Sequence, residues 1–290
     1  MPLQDKIAYL ARSAAAYRTR RACPGCGREN LQLVERKYIF TRLFLCRDCQ
    51  LMFRHPTDDA DASRRFYQSD YAQDDGITTE LPDPKQLQAM IAGGFGEKNV
   101  DHYLKAIGIL LPDIPPKSVR MIDYGSSWGY QSYQFRRSGI DCRSYEISAP
   151  RAAFGNLHLG LDIKTDESML EGGNDLFYSS HVIEHLPSPK RMIDMGMSLL
   201  RDGGYFIIES PNGSGAFRRA HPAHFSKLWG MVHPNLISVD FYEHAFASRP
   251  FLITSTPFDN LPGELDRWDK KSTRILDLSG PTLLLIARMH

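Results

Sequence analysis

The sequence contains no run of about 18 consecutive apolar residues, the length a membrane-spanning helix requires. Its opening stretch, MPLQDKIAYLARSAAAYRTR, lacks the unbroken apolar core of a secretory leader, so a cytoplasmic location is expected. Charge of either sign is not in excess: 35 Lys and Arg against 34 Asp and Glu leave a formal net charge of +1. A chain so balanced has no global field to draw it to nucleic acid or to an anionic membrane, and neither partner is expected. Cysteine is scarce as well; five in 290 residues do not build a disulfide framework. Internal repeats and low-complexity tracts are missing. The remainder is ordinary for a globular protein, 42% hydrophobic and 24% charged, and long enough for one large domain with a small one appended.

Four of the five cysteines are not scattered. Cys23 and Cys26 form C-P-G-C, and Cys46 and Cys49 form C-R-D-C. Two residues between paired cysteines let both sulfurs of a tight turn face one ion, and Gly25 permits the turn. The spacing points to a tetrahedral zinc site; redox pairs or chance spacing are the alternatives. Four thiolates leave no open coordination position, so such a zinc is structural. Cys142 lies in a predicted strand and reads as a buried structural thiol. Between the pairs, LQLVERKYIFTRLFLC carries the β-branched and aromatic residues of short strands. These features set residues 1–55 apart as an N-terminal arm, with Ile7, Leu10 and Ala14 on one helical side, and a zinc module. Residues 56–115 read as a helical linker or lid ending in KNVDHYLKAIGILL, and 116–290 as the main domain.

From residue 117 strands and helices alternate. SVRMIDYG is a buried strand, YQSYQFRRSG a helix closed by Gly139, DCRSYEIS a second strand, and PRAAFGNLHLG a helix with Pro150 in its first turn. LDIKTD is a weak third strand and NDLFYSSHVIEHL a fourth that runs into a loop. PSPKRMIDMGMSLLRDGG is a helix ending at glycines, and YFIIESP a fifth strand; FLITSTPF and TLLLIARM are two more. This alternation predicts an α/β fold with a Rossmann-like, doubly wound, mostly parallel sheet. The first strand ends in the glycine-bearing turn DYGSSWGY, and the second ends in Glu146. A carboxylate there accepts the ribose hydroxyls of an adenosine ligand. The spacing D-x-G-x-x-x-G differs from the dinucleotide G-x-G-x-x-G, so the ligand need carry no phosphates.

Taken in order, IDYGSSWGY, YEIS, DLFYSSHVIEHLPSP and LLRDGGYFIIESPN resemble the motif series of class I S-adenosylmethionine-dependent methyltransferases over residues 117–212. The resemblance implies S-adenosylmethionine as cofactor. It implies Asp123, Gly125 and Gly129 against the methionine part, Glu146 on the ribose, and the loop of Asp166 and Glu167 beside the adenine. Ser127, Ser180 and His181 complete the implied cofactor-side set; many members of the family have glycine where this chain has Ser127. CPGCG, CRDCQLMFRHP and RRFYQSDY are further similar to the start of the zinc-containing sugar and deoxysugar methyltransferases. There, tyrosines after the zinc module help close the active site, and Tyr67 and Tyr71 stand at the matching places. The deoxysugar enzymes usually carry a further C-terminal domain, which this chain, ending soon after its last predicted strand, is not expected to have.

The acceptor side is read from histidines. His181, Glu184 and His185 follow the fourth strand, at the carboxyl end of the sheet, where ligands bind. His233, in WGMVHPNLIS, is similar to the family segment that lines the acceptor pocket. Transfer of a sulfonium methyl requires alignment of the acceptor and, where its nucleophile is protonated, removal of a proton. His185 and His233 are the expected catalytic residues; packed or surface histidines are the plain alternative. His221, His224 and His244 are weaker candidates, and HVIEH lacks the H-E-x-x-H order of a zinc protease. Arg218 and Arg219 would meet an anionic acceptor or form a solvated basic face. Trp128, Phe177, Trp229 and Tyr242 read as core or pocket wall. The expected acceptor is a small molecule, best a sugar or nucleotide sugar, methylated on oxygen or carbon. An RNA methyltransferase gripping its substrate with the zinc module is one alternative, and a non-catalytic S-adenosylmethionine-binding protein another.

Overall fold

A computed structural model describes residues 21–37, 40–57, 81–230 and 233–289, together with positions 7, 10, 11, 13, 14 and 17. The first described strands are β1 (Leu31–Lys37), β2 (Thr41–Cys46) and β3 (Met52–His55). Two helices follow, α1 (Pro84–Ala92) and α2 (Asp101–Leu110). Asp83 starts α1 with a capping box in which Asp83 and Gln86 satisfy each other's backbone N–H groups. The alternating region is β4 (Arg120–Tyr124), α3 (Tyr130–Arg137), β5 (Asp141–Tyr145), α4 (Ala149–Leu159), β6 (Ile163–Lys164), β7 (Asn174–Ser180), α5 (Pro189–Leu199) and β8 (Leu200–Pro211). The chain continues through α6 (Gly215–Ala220), α7 (Pro222–Lys227), β9 (Asn235–Leu236), α8 (Val239–Ala245), β10 (Phe251–Ser255), α9 (Leu261–Arg267), β11 (Arg274–Ile275) and β12 (Thr282–Arg288).

The large sheet has the order β11-β10-β12-β8-β7-β4-β5-β6. β6, β5, β4, β7 and β8 are parallel neighbours, while β12 runs antiparallel between β8 and β10. The expected Rossmann-like, mostly parallel architecture is therefore present. Period-two alternation sends neighbouring residues to opposite faces. Ile122, Phe177, Phe206, Ile208 and Leu285 pack on one side with Met192 and Ile193 of α5 and Phe241 of α8. Met121, Leu176, Ile207 and Ile286 pack on the other with Tyr103 and Ile107 of α2, Phe135 of α3 and Leu265 of α9. Both faces are covered, which is why these strands read as continuous apolar runs.

Two boundaries differ from expectation. The helix expected to run to the glycines at 203–204 ends at Leu199, and β8 already begins at Leu200, where it pairs with Asn174. Sheet hydrogen bonds, with Gly203 N–H donating to Met289 O, claim the residues that helix periodicity alone would extend. The weak third strand contracts to two residues, Ile163 and Lys164.

A second, antiparallel sheet has the order β1-β2-β3-β9. Three of its strands come from the N-terminal region and the fourth from beyond β8. Phe44, Phe53, Cys23, Cys46 and Cys49 are packed into the same buried cluster as the α5 face of the large sheet. Cys142 is buried on the opposite face, as expected for a structural thiol.

Asn212, just past β8, is fully buried and donates from Nδ2 to Leu278 O (2.8 Å) and Gly280 O (2.6 Å), while its Oδ1 accepts from Ser214 N–H (2.8 Å). Each group orphaned by truncation costs about 1–3 kcal/mol. Asn212→Ala is therefore expected to lose about 3 kcal/mol in urea unfolding. A loss below about 1 kcal/mol would mean that these groups find other partners.

Candidate active site at the carboxyl end of the sheet

The strand order reverses beside β4: the chain leaves it for β5 and β6 on one side, then returns to β7 on the other. Loops leaving such a point diverge and open a crevice at the carboxyl ends of the strands. The turn after β4 lies there. Gly125 and Ser126 N–H both donate to Tyr145 O (2.8 and 2.9 Å), tying the turn to the end of β5. Gly125, Ser127 and Gly129 all have left-handed backbone, with φ of 81°, 54° and 81°. Ser127 therefore adopts the conformation that glycine adopts freely, and its Oγ accepts from Arg151 at 2.9 Å. A Cβ on Gly129 would meet Leu161 Cδ1 at 2.3 Å and Ile163 Cδ1 at 2.9 Å, so this glycine is also required by packing against β6. A Cβ on Gly125 would meet Val182 Cγ2 at 2.3 Å.

Glu146 is buried at the end of β5. Its Oε2 accepts from Ser127 N–H and its Oε1 from Ser148 N–H, each at 2.8 Å. Burial raises its pKa, and the two backbone donors and Arg151 oppose the rise. Asp123, at the end of β4, is buried too; Ser132 Oγ donates to it at 2.5 Å, and Ser144 Oγ donates to Ser132. Burial raises Asp123 to about 7, against the Ser132 hydrogen bond. Gly125, Ser127 and Gly129 thus share one turn that Asp123 leads into from β4 and that Glu146, just past β5, holds through Ser127 N–H. Asp166 is exposed and caps the Glu167–Met169 turn by accepting from Ser168 N–H (2.9 Å). Its neighbour Glu167 accepts from the Tyr124 hydroxyl at 2.6 Å and from Arg191.

Ser180 and His181 lie on the other side of the switch point. Ser180 Oγ donates to Glu209 Oε2 (3.1 Å), and the Tyr103 hydroxyl donates to the same oxygen. His181, with left-handed φ of 54°, has Nδ1 3.5 Å from Glu184 and Nε2 3.7 Å from Glu209. Burial would lower the His181 pKa, but the two carboxylates outweigh it and raise it to about 10. Glu209 and Tyr103 were outside the sequence-derived set. A lone carboxylate inside the apolar run FIIESP was the available signal for Glu209, while nothing local marked Tyr103.

Glu184 and His185 sit in a single turn, Ile183–His185. Glu184 is fully buried. Burial would raise its pKa, but the flanking histidines hold it down at about 2. The rings of His185 and His233 meet at 4.6 Å between centroids and 69° between planes. His233 Nδ1 is 2.8 Å from Leu228 O. Asn235 of β9 donates from Nδ2 to Leu186 O (2.7 Å) and Glu184 O (3.4 Å), so the N-terminal sheet braces the turn. The weaker candidates stay apart: His221, His224 and His244 are exposed, and the first two rest on Phe217. Arg218 is exposed but committed, donating to Val34 O (3.3 Å) and lying over Phe225. Trp128, Phe177, Trp229 and Tyr242 are all buried. Tyr67 and Tyr71 lie outside the described residues.

The four cysteines converge on one another. Cys23 Sγ is 3.5 Å from Cys49 Sγ, Cys26 Sγ is 3.5 Å from Cys46 Sγ, and all four sulfurs lie within 4.8 Å of one another. Among the described residues, no helix is long and apolar enough to cross a membrane.

A family model described as a methyltransferase domain matches residues 97–255, and the chain belongs to that methyltransferase family. No curated protein matches it in sequence. Among solved structures, it is similar to the geranyl diphosphate C-methyltransferase of Streptomyces coelicolor A3(2), solved with Mg2+, geranyl diphosphate and S-adenosyl-L-homocysteine. The TM-score is 0.50 and the identity 16%, covering 79% of this chain and 96% of that one. It also matches the plantazolicin methyltransferase BpumL in complex with S-adenosylhomocysteine (TM-score 0.47, 11% identity, 79% and 95% covered). A third match is a possible histamine N-methyltransferase from Thermotoga maritima (0.43, 15%, 70% and 98%). Family and fold together make this protein an S-adenosylmethionine-dependent methyltransferase.

Asp123 supplies a pH test. A buried carboxyl whose folded pKa is about 7 binds its proton more tightly than the unfolded chain, where the ordinary value is about 3.8. Its stabilising contribution is complete below that unfolded value and is lost as pH rises toward 7, at up to about 1.4 kcal/mol per pH unit. Asp123→Asn removes this titration. The unfolding free energy of wild type relative to Asp123→Asn should therefore fall between pH 4 and 7 in denaturant titrations. A difference independent of pH would show that Asp123 is not held protonated.

Proposed function

We propose that the protein transfers a methyl group from S-adenosylmethionine to a small-molecule acceptor, of which a sugar or nucleotide sugar is the favoured class. The observation that carries the cofactor reading is Glu146. Its buried carboxylate stands at the switch point, fixed by two backbone N–H donors, and each oxygen keeps a further lone pair for a ribose diol. The left-handed turn from Gly125 to Gly129 brings backbone, rather than bulky side chains, to the same crevice. Asp123, Ser127, Ser180 and His181 complete the cofactor side, and Asp166 borders the adenine. When bound, the cofactor supplies an activated sulfonium methyl.

His185 and His233 form the acceptor side. They come from the turn after β7 and the segment before β9 yet present adjacent rings, so an acceptor hydroxyl at their shared edge meets both. They orient it and receive its proton. The sugar class rests on the similarity of the N-terminal cysteine module to that of the sugar methyltransferases.

The cysteine cluster fits structural zinc. With Zn–S bonds of about 2.3 Å, a tetrahedron has sulfur–sulfur edges of about 3.8 Å, close to the 3.5 Å of two sulfur pairs and inside the 4.8 Å that contains all four. Zinc there holds the CPGC and CRDC turns at the end of the N-terminal sheet.

Three outcomes are expected. In calorimetry, Glu146→Ala should weaken S-adenosylhomocysteine binding about 10- to 100-fold, the loss of about 1.5–3 kcal/mol for a hydrogen bond to a charged group; unchanged affinity would remove Glu146 from the site. Followed by S-adenosylhomocysteine release against a panel of nucleotide sugars, His185→Gln and His233→Gln should lower turnover by about 100- to 10,000-fold with cofactor affinity nearly unchanged. Wild-type turnover in both variants would exclude them from catalysis. Metal analysis should find one zinc held by the cysteine cluster, released in Cys23→Ser or Cys46→Ser with loosening of the N-terminal sheet. Protein purified without chelator and devoid of zinc would refute the assignment.

A further inference from the structure

We propose that Glu184, His185 and His233 form a second, divalent-cation site, of two imidazoles and one carboxylate, on the acceptor side of the crevice. The inference rests on the placement of that side argued above and refines it: with their free nitrogens on the cation, the two imidazoles act through it, the metal lowering the acceptor's pKa so that its proton passes to solvent rather than to an imidazole.

Glu184 is the first reason. It is fully buried, and among the described residues neither carboxylate oxygen accepts a hydrogen bond. Its nearest cationic groups are His181 Nδ1 at 3.5 Å and His185 Nε2 at 3.7 Å, both too distant for good hydrogen bonds. The nearby Tyr242 hydroxyl is engaged with Ser210 Oγ at 3.3 Å. Partners at such distances compensate a fully buried carboxylate only in part, and a bound cation completes the pairing.

The donor geometry is the second reason. One donor atom from each of Glu184, His185 and His233 lies within 4.8 Å of the others. Ligands about 2.0–2.2 Å from one ion stand about 3–4 Å apart, so a small inward movement completes the coordination. The His233 tautomer agrees. Leu228 O only accepts, so the His233 Nδ1 that faces it at 2.8 Å carries the proton, leaving the Nε2 lone pair for a metal. A ligand imidazole anchored through its other nitrogen by a backbone carbonyl is the usual outer-shell arrangement of metal sites. The turn is also held in place, because Asn235 donates to the carbonyls on both sides of His185.

The donor set selects the ion. Two imidazoles and a carboxylate suit Mn2+, Fe2+, Co2+ or Zn2+, and three protein ligands leave positions open for oxygen donors. The cysteine cluster offers only sulfur and disfavours Mn2+, so that ion separates the two sites chemically.

The test uses the full chain with its cysteine cluster loaded with zinc. Mn2+, which thiolates bind poorly, is titrated in, and the free ion is followed by its solution EPR signal. One Mn2+ per chain is expected in wild type, with affinity weakened at least about tenfold in Glu184→Gln and in His233→Gln. Circular dichroism and S-adenosylhomocysteine calorimetry on the same samples report whether each variant is folded. Folded wild type that takes up no Mn2+ at millimolar concentration would overturn the site, as would equal uptake by wild type and both folded variants. Should Glu184→Gln fail to fold, His233→Gln decides alone. S-adenosylhomocysteine binding without Mn2+ uptake overturns the cation site and leaves the methyltransferase reading intact. Mn2+ uptake lost in the variants, in protein that binds no S-adenosylhomocysteine, sustains the site and overturns the cofactor assignment.

Discussion

The parallel pairing of β4 with both β5 and β7 is the constraint on which everything else rests. A strand with parallel neighbours on both sides cannot be reached by hairpins, so the chain must cross over a face of the sheet each time. Going outward through α3 and α4 and back to β7 leaves the loops after β4 and β7 pointing apart. Polar groups that would be intolerable in mid-sheet, such as Asp123, Glu146, Ser180 and Glu209, gather at this one end, where backbone donors and each other satisfy them. The apolar faces below hold the strand ends in register while the polar ends stay open to a ligand.

The N-terminal sheet adds a second layer of control. It is more than an appendage beside the larger sheet, since β9 arrives from beyond β8 to close its edge. Asn235 sits at that junction. Its backbone pairs with Phe53 while its side chain grips the carbonyls around His185. Order in the cysteine-bearing strands is thereby passed, through one residue, to the turn that carries Glu184.

The alternating core was legible because strands covered on both faces become continuous apolar runs, bounded by glycines whose positive φ the turns require. The cysteine pairs were legible for a different reason: metal geometry dictates local spacing. The convergence of His185 with His233 was legible from their places after successive strands. Four features were hidden. β8 starts at Leu200 because pairing with β7 and β12 overrides a helical pattern, and no local window contains those partners. β9 is only two residues long, too short for any periodicity. The full burial of Glu184 with no close hydrogen-bond donor among the described residues depends on what surrounds it in space, which its place after the fourth strand does not show. The left-handed conformation of Ser127 was hidden as well, since serine does not announce it; Arg151 secures it through the hydroxyl.

The strand that closes the N-terminal sheet also bears on how such chains recombine. Because Asn235 and Leu236 supply an edge to strands encoded nearly two hundred residues earlier, the cysteine module is not a cassette that crosses between relatives on its own. A graft of residues 21–57 brings β3 with no matching edge unless the short segment around 235 travels with it. Met52 and Phe53 thus share their packing constraints with Asn235 and Leu236, despite the distance between the two segments in the sequence.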